Sequence, residues 1–497
     1  MKKIRLAVAT FFLIMLAYNS SKAGLSADAK KYKSPSKRVD LITLNLSGEQ
    51  SQLNNQLFTT AMNYFYANKK ANFFKLSQDK NFKNFCFKNN IKLTGGPLLG
   101  DITNNGVKIW LRAAQANTLA KLVITQDNSI IKKLEKVSTK EKDLAIVFDI
   151  KDLNHNKKYH YKIYVDNKLI TKSPQQFFTT APQSTDKTIF RIALGSDPHR
   201  WGLARTKLFK NISKRNPIAM VMVGDVAVQD RNANTGLHNC DFLLRDLQPP
   251  WQKFVAKTPI YTAWDDHDYF DNDKAGVPDG YSYTDKKLVW KTFTQNWANP
   301  SYGFGENGEG VFYKATIGAC EIFVLDNRYF REKGKNSLLG ERQLAWLKKN
   351  LQKSTATFKL LVCPTMWSDY VSNGKDSWGI WDKAGREDIF SLIEKEHISG
   401  VILLSGDRHG TRGFKIPRPN GFYFYEYGTG CLGGRKGPRA KDTKWTTQLF
   451  GFHDIYAFAD MTFDTTKNDP EATFNLFRED GSLLYQKKMK LSELTPK

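Results

Sequence analysis

Pro259-Ile-Tyr-Thr-Ala-Trp264-Asp265-Asp266-His267-Asp268-Tyr269 is an apolar run of strand length that ends in three aspartates around one histidine. Runs of the same kind stand at 190–195, 219–224, 321–326, 358–363 and 400–405, with helix-like segments such as 206–216 and 340–351 between several of them. Apolar strands alternating with helices make an α/β sheet core. Further strands at 426–430, 455–463, 472–477 and 484–489 make a mixed α+β, four-layer α/β/β/α arrangement the expectation, rather than a purely parallel sheet.

Upstream the period changes. Short runs at 106–112, 120–125, 144–149, 159–165 and 175–180, separated by Asn, Asp, Gly and Lys turns, predict a small β-sandwich over 91–182. Before it, Leu53, Leu57, Met62, Phe65 and Phe74 recur at helical spacing, so 24–90 reads as a linker followed by a helical preface that packs on another unit. The catalytic unit is then 183–497. Residues 1–23 combine a basic start, an apolar stretch and Ser21-Lys22-Ala23, the pattern of a cleaved export signal. The expected location is periplasmic or extracellular, with no transmembrane segment in the mature chain.

The chain has 497 residues and a formal charge of +26, and four of its cations, Lys2, Lys3, Arg5 and Lys22, lie in that leader. Such a surface attracts anions in general, so an anionic polymer or lipid is compatible with it. The lysines are scattered, with no basic block and no aromatic-interleaved signature, and no stable nucleic-acid complex is expected. Composition and pattern exclude disorder, collagen-like repeats and solenoids. Five cysteines without a C-x-x-C exclude zinc ribbons and leave disulfide pairing open.

The chemistry stands where strands end. Asp197 and His199 follow the run at 190–195, Asp225 the run at 219–224, Asp265 to Asp268 the run at 259–264, and Asp407 and His409 the run at 400–405. In an open α/β sheet the carboxyl ends of neighbouring strands share one crevice, so these acids and histidines can converge on a metal site. Carboxylate and imidazole donors suit hydrolytic metals, and an Asp225 bridging two ions would let each clamp one side of an in-line displacement at phosphorus.

In this order the boxes resemble the calcineurin-like metallophosphoesterases, and within them the alkaline phosphatase D, or PhoD-like, branch. The residues that carry the likeness are Trp264 to Tyr269 with Asn272 and Asp273, Leu325-Asp326-Asn327-Arg328, Leu339-Gly340-Glu341-Arg342-Gln343 with Trp346-Leu347, and Ser405-Gly406-Asp407-Arg408-His409. It extends from about residue 91 to 490 and implies a fibronectin-III-like sandwich ahead of the catalytic domain. Two positions depart from the branch: Asp197 stands where its first box has cysteine, and Val228 where its second has tyrosine. Asp197 with His199 matches instead the D-x-H pair of the wider superfamily.

The resemblance implies a phosphatase that hydrolyses monoesters, diesters or both, by attack on phosphorus of a hydroxide bridging two metal ions (Fe, Mn, Zn or Ca). Asp197, His199, Asp225 and His409 would hold one ion; Asp225, Asp266 and Asp407 the other. His267 would protonate the leaving oxygen, its ring oriented by Asp268 or Asp265. Arg328 either grips the phosphate or pairs with a neighbouring carboxylate, and Asn272 either supports the site on the substrate side or forms a turn. The alternatives are a nuclease or phospholipase using the same site, and a secreted glycan-binding protein with a decayed catalytic domain. The glycine-rich 428–434 segment is either an anion cradle or a tight turn, and Trp367, Trp378 and Trp381 either cover the cleft or fill the core. Ser196 and Ser405 lie outside any G-x-S-x-G, which removes serine hydrolysis.

Overall fold

The computed structural model describes residues 35–170, 176–305, 309–332, 337–369, 377–437 and 447–497. The leader and the first part of the linker lie outside the described residues. A nine-stranded sheet runs Leu483–Lys490, Glu471–Arg478, Ala457–Asp464, Ile189–Gly195, Ala219–Val223, Ile260–Ala263, Leu93–Gly100, Val107–Ala113, Ala145–Ile150. A seven-stranded sheet runs Tyr313–Ile317, Cys320–Val324, Phe358–Val362, Val401–Ser405, Tyr423–Gly428, Thr411–Pro417, Gln448–Phe452. Parallel pairing at the centre of each sheet is flanked by antiparallel strands.

Side-chain alternation sorts the strands into layers. Ile192, Leu194, Val221 and Val223 of the first sheet share one apolar cluster with Ile322, Val324, Leu360, Val362, Ile402 and Leu404 of the second. Their neighbours face outward: Ala193, Met220 and Met222 onto Leu208, Ile212 and Trp251, and Phe323, Leu361 and Leu403 onto Leu347, Leu351 and Ile389. Strands covered on both faces are apolar at every position, which is why the runs were legible as blocks. This is the expected four-layer α/β/β/α body.

The strands of the segment expected to form a sandwich belong to two sheets. Leu93–Gly100, Val107–Ala113 and Ala145–Ile150 extend the catalytic sheet, with Gly100 pairing in parallel with Ile260. Ser129–Val137, Leu119–Gln126 and Lys158–Val165, with two short strands, form a separate five-stranded sheet. Hydrogen bonding therefore crosses the expected boundary near residue 182. Alternation within a strand identifies its faces but not the edge it joins.

The preface is four helices, Lys37–Leu44, Gln52–Ala67, Phe73–Gln78 and Lys80–Lys88. Ser51, Asn72 and Asp79 each accept a backbone N–H two or three residues into the helix that follows, and so fix the breaks. The preface packs on the helix Thr235–Leu247. Gly236 donates its N–H to Lys69 O at 3.1 Å, and Asn239 its side-chain amide to Ala71 O at 3.1 Å. A Cβ at Gly236 would stand 2.4 Å from Asn68 O, so this approach needs glycine. All five cysteines are buried and free. Among the described residues no helix is long and apolar enough to cross a membrane.

Candidate metal centre

Each box leaves its strand through a tight turn. Asp197, His199, Asp225, Asp407 and His409 all have positive φ, between 46° and 63°. Left-handed backbone is unfavourable for these residues and persists only where surrounding contacts impose it. Those contacts are present: His199 N–H donates to Asp225 O at 2.9 Å, Asp197 N–H to Gly224 O at 3.3 Å, and Gly434 N–H to Asp197 O at 2.9 Å. A Cβ on Gly434 would lie 2.1 Å from His199 Cδ2. The glycine-rich segment is thus a brace behind the site.

The side chains converge. Donor atoms of Asp197, His199 and Asp225 lie within 4.8 Å of one another, as do those of Asp225, Asp266 and His267, those of His199, His267 and His409, and those of Asp265, Asp266 and Asp407. Every candidate metal residue read from the sequence is in one of these groups, and Asp225 is in two. Both Asp225 carboxylate oxygens are buried without a hydrogen-bond partner, as is Asp197 Oδ1. Buried carboxylate oxygens without donors call for cations, and this donor set fits divalent or trivalent hydrolytic metals. Burial, then the neighbouring carboxylates of Asp266, Asp265 and Asp197, push the Asp225 carboxyl well above the usual range. Burial opposes ionisation of Asp266 too, but Arg328 and His267 beside it hold its carboxyl at about 2.

The expected orienting partner of His267 is corrected, and Arg328 and Asn272 make defined contacts of their own. The partner of His267 Nδ1 is Asp230 Oδ1, with Gln229 Nε2 at 3.2 Å from the same nitrogen. Asp268 instead accepts the backbone N–H groups of Val226, Ala227 and Val228 at 3.0–3.2 Å and so shapes the turn after Asp225. Asp265 is engaged by Arg328 Nε and by Asn327 Nδ2. Arg328 is fully buried, its guanidinium on Asp265 and 3.9 Å from Asp266, the ion pair that was one of its two expected roles. Asn272 is exposed and donates its backbone N–H to Asp230, the contact of a turn residue.

The remaining motif residues hold the boxes together. Asp326 accepts from Trp264 Nε1 and from the N–H groups of Val311, Arg328 and Tyr329, while Gln343 bonds both its N–H and its carbonyl. Ser196 donates to Asp197 Oδ2 and Ser405 to Glu426. Trp367 and Trp378 stack in the core at 4.8 Å, whereas Trp381 is partly exposed and lines a cleft. Sequence reading missed Asp230 and Gln229, whose only signal is a pair of polar residues in the loop after Asp225.

Residues 241–472 match the family model of PhoD-like phosphatases. The solved structure of PhoD matches with 18% identity and a TM-score of 0.63, covering 80% of this chain and 92% of that one. The structure of purple acid phosphatase PPD1 from yellow lupin (Lupinus luteus) seeds matches with 14% identity and a TM-score of 0.59, covering 79% and 74%. No curated protein matches the chain. The resemblance read from the strand-end boxes thus agrees with the PhoD-like phosphatase family model over residues 241–472 and with the fold of both solved structures.

Proposed function

We propose that the protein is an exported phosphatase that hydrolyses phosphate esters at a two-metal centre. The observation that carries this is Asp225, a fully buried carboxylate with no hydrogen-bond donor that belongs both to the Asp197–His199 group and to the Asp266–His267 group. A carboxylate so placed fits the residue shared by two ions, with His409 and Asp407 completing the surround. The metals, when bound, draw electron density from the phosphoryl oxygens and make water a stronger nucleophile at neutral pH.

The protein's own residues supply the rest. A bond forms between water oxygen and phosphorus, the ester P–O bond breaks, and the leaving oxygen departs with a proton. His267 is the donor in this reading: Asp230 takes its Nδ1–H, and its Nε2 faces the shared carboxylate, 3.9 Å from Asp225 Oδ2. The charge of Asp230 stabilises the imidazolium that a general acid must be. Arg328 acts on Asp265 and Asp266, holding Asp266 ionised and opposing the rise that burial imposes on Asp265.

The test is metal analysis of protein purified without chelator, paired with hydrolysis of an aryl phosphate monoester and a diester. About two ions per chain, with metal and activity both lost in Asp225→Asn, is the expected result. Metal-free protein that stays inactive with added iron, manganese, zinc or calcium refutes the reading and favours the glycan-binding alternative. Export is checked by the mass of the secreted chain, expected to begin near Gly24.

A further inference from the structure

Beside the metal centre the described residues enclose a cavity of about 1260 Å³. Its walls continue the site. Asp273, on one wall, donates its N–H to Asp266 Oδ2 at 2.7 Å, and Gly276 its N–H to Arg328 O at 2.8 Å. Tyr329 to Glu332, on another, follow Arg328 directly in the chain. The cleft thus adjoins Asp266 and Arg328.

Lys286 lines that cleft from the helix Tyr283–Thr294 and is only 7% exposed. Its ammonium stands 3.6 Å from the centre of the Tyr329 ring and 5.2 Å from that of Tyr283. Among the described residues it makes no side-chain hydrogen bond and no ion pair; Asp326, Glu332 and Glu309 act on it only through space. Burial lowers it to about 8, so it is charged at neutral pH. A buried ammonium held on aromatic faces without a carboxylate is stabilised when an anion arrives. Elsewhere on the lining, Arg331 lies 5.0 Å over the Trp381 ring, whose face adds apolar area beside positive charge.

Resting on the phosphatase reading, we propose that this cleft is a leaving-group subsite selecting planar leaving groups that carry a negative charge of their own, the ring packing on the aromatic lining and the charge pairing with Lys286. The substrate class is then phosphate esters of anionic aromatic alcohols. The bond broken is the same ester P–O bond, and the anionic alcohol is released protonated on its leaving oxygen.

The experiment compares 3-carboxyphenyl phosphate with phenyl phosphate, and measures binding of 3-hydroxybenzoate, which contains no phosphate, by calorimetry. A charge-assisted contact predicts a preference for the carboxylated ester of about tenfold or more in kcat/KM. Lys286→Gln should erase that preference while leaving phenyl phosphate within about twofold, Lys286→Arg should retain it, and Trp381→Leu should weaken 3-hydroxybenzoate binding. An equal loss for both esters, or wild-type protein that neither prefers the carboxylated ester nor binds 3-hydroxybenzoate, overturns the inference. If neither ester is hydrolysed, the phosphatase reading fails on its own, and 3-hydroxybenzoate decides the cleft: binding lost in Lys286→Gln sustains it, and no binding refutes it.

Discussion

Replacing Asp40 by alanine is expected to destabilise the catalytic body by about 3–5 kcal/mol, the cost of leaving a buried charge unpaired, although Asp40 lies in the first preface helix. The carboxylate is fully buried; Oδ1 accepts from Arg200 Nη1, Oδ2 from Tyr66 Oη at 2.7 Å, and Arg231 Nη2 stands 3.8 Å away. Asp241 completes the group, accepting from Arg200 at 2.9 Å and from Arg231 at 2.7 and 3.0 Å. Two arginines thus balance two aspartates, and the substitution leaves two cations on one carboxylate. The group adjoins the metal site, because Arg200 follows His199, and Gln229, whose N–H donates to Asp241, also reaches His267. Guanidinium unfolding followed by tryptophan fluorescence reads the loss, and metal content reads its spread to the centre. Burial opposes ionisation of Asp241, but Arg231 and Arg200 outweigh it and hold its carboxyl below the usual range. Its share of stability is therefore present above about pH 3.9 and lost as pH falls through its folded value. An Asp40→Ala protein within about 0.5 kcal/mol of wild type, the range of ordinary surface substitutions, would show that the preface does not support the site.

Gly434→Ala should displace His199, since the new Cβ would meet its ring at 2.1 Å and Asp197 O at 2.5 Å; activity should fall on the order of 100-fold, as for a misplacement of about 1 Å, and metal occupancy should fall with it. Arg328→Met should cost about 3–5 kcal/mol through unpaired Asp265 and Asp266, with the kinetic loss in kcat; a raised KM at unchanged stability would instead restore a direct phosphate contact. Asp230→Asn should slow alkyl phosphates far more than p-nitrophenyl phosphate, because only the poorer leaving group needs the proton from His267. An equal effect on both esters would remove His267 from that role.

The sheet strands were legible because burial on both faces makes them apolar blocks, and the boxes because polar residues following such blocks are conspicuous. What could not be read is which strand edge accepts Leu93–Gly100, since its pairing with Ile260 is a long-range backbone event without a side-chain signature. The Asp265–Asp268 box shows the same limit at the site. Its acids are adjacent in sequence, yet Asp265 is shared between Arg328 and one metal group, Asp266 belongs to two metal groups, and Asp268 goes to three backbone N–H groups. The turn at Asp265 and the short helix Asp266–Tyr269 point successive side chains in different directions, so composition identified the box but not the division of labour within it.

The left-handed turns explain why so much of the molecule is committed to holding so few donors. Five candidate ligands sit at positive φ, each in a conformation that a free loop would leave. Relaxing any one of them moves a donor out of its group, so the turns must be over-determined from outside. Gly434 braces Asp197 from behind, Asp268 ties down the turn after Asp225, and Pro364 O receives the Gly406 N–H ahead of Asp407. The Asp40–Arg200 pair extends the same support to the residue after His199, through a helix that contributes no ligand. The preface, the glycine-rich segment and the Asp326–Gln343 clamp thus serve one end, which is to keep like-charged carboxylates together at a spacing that their mutual repulsion opposes until cations bind.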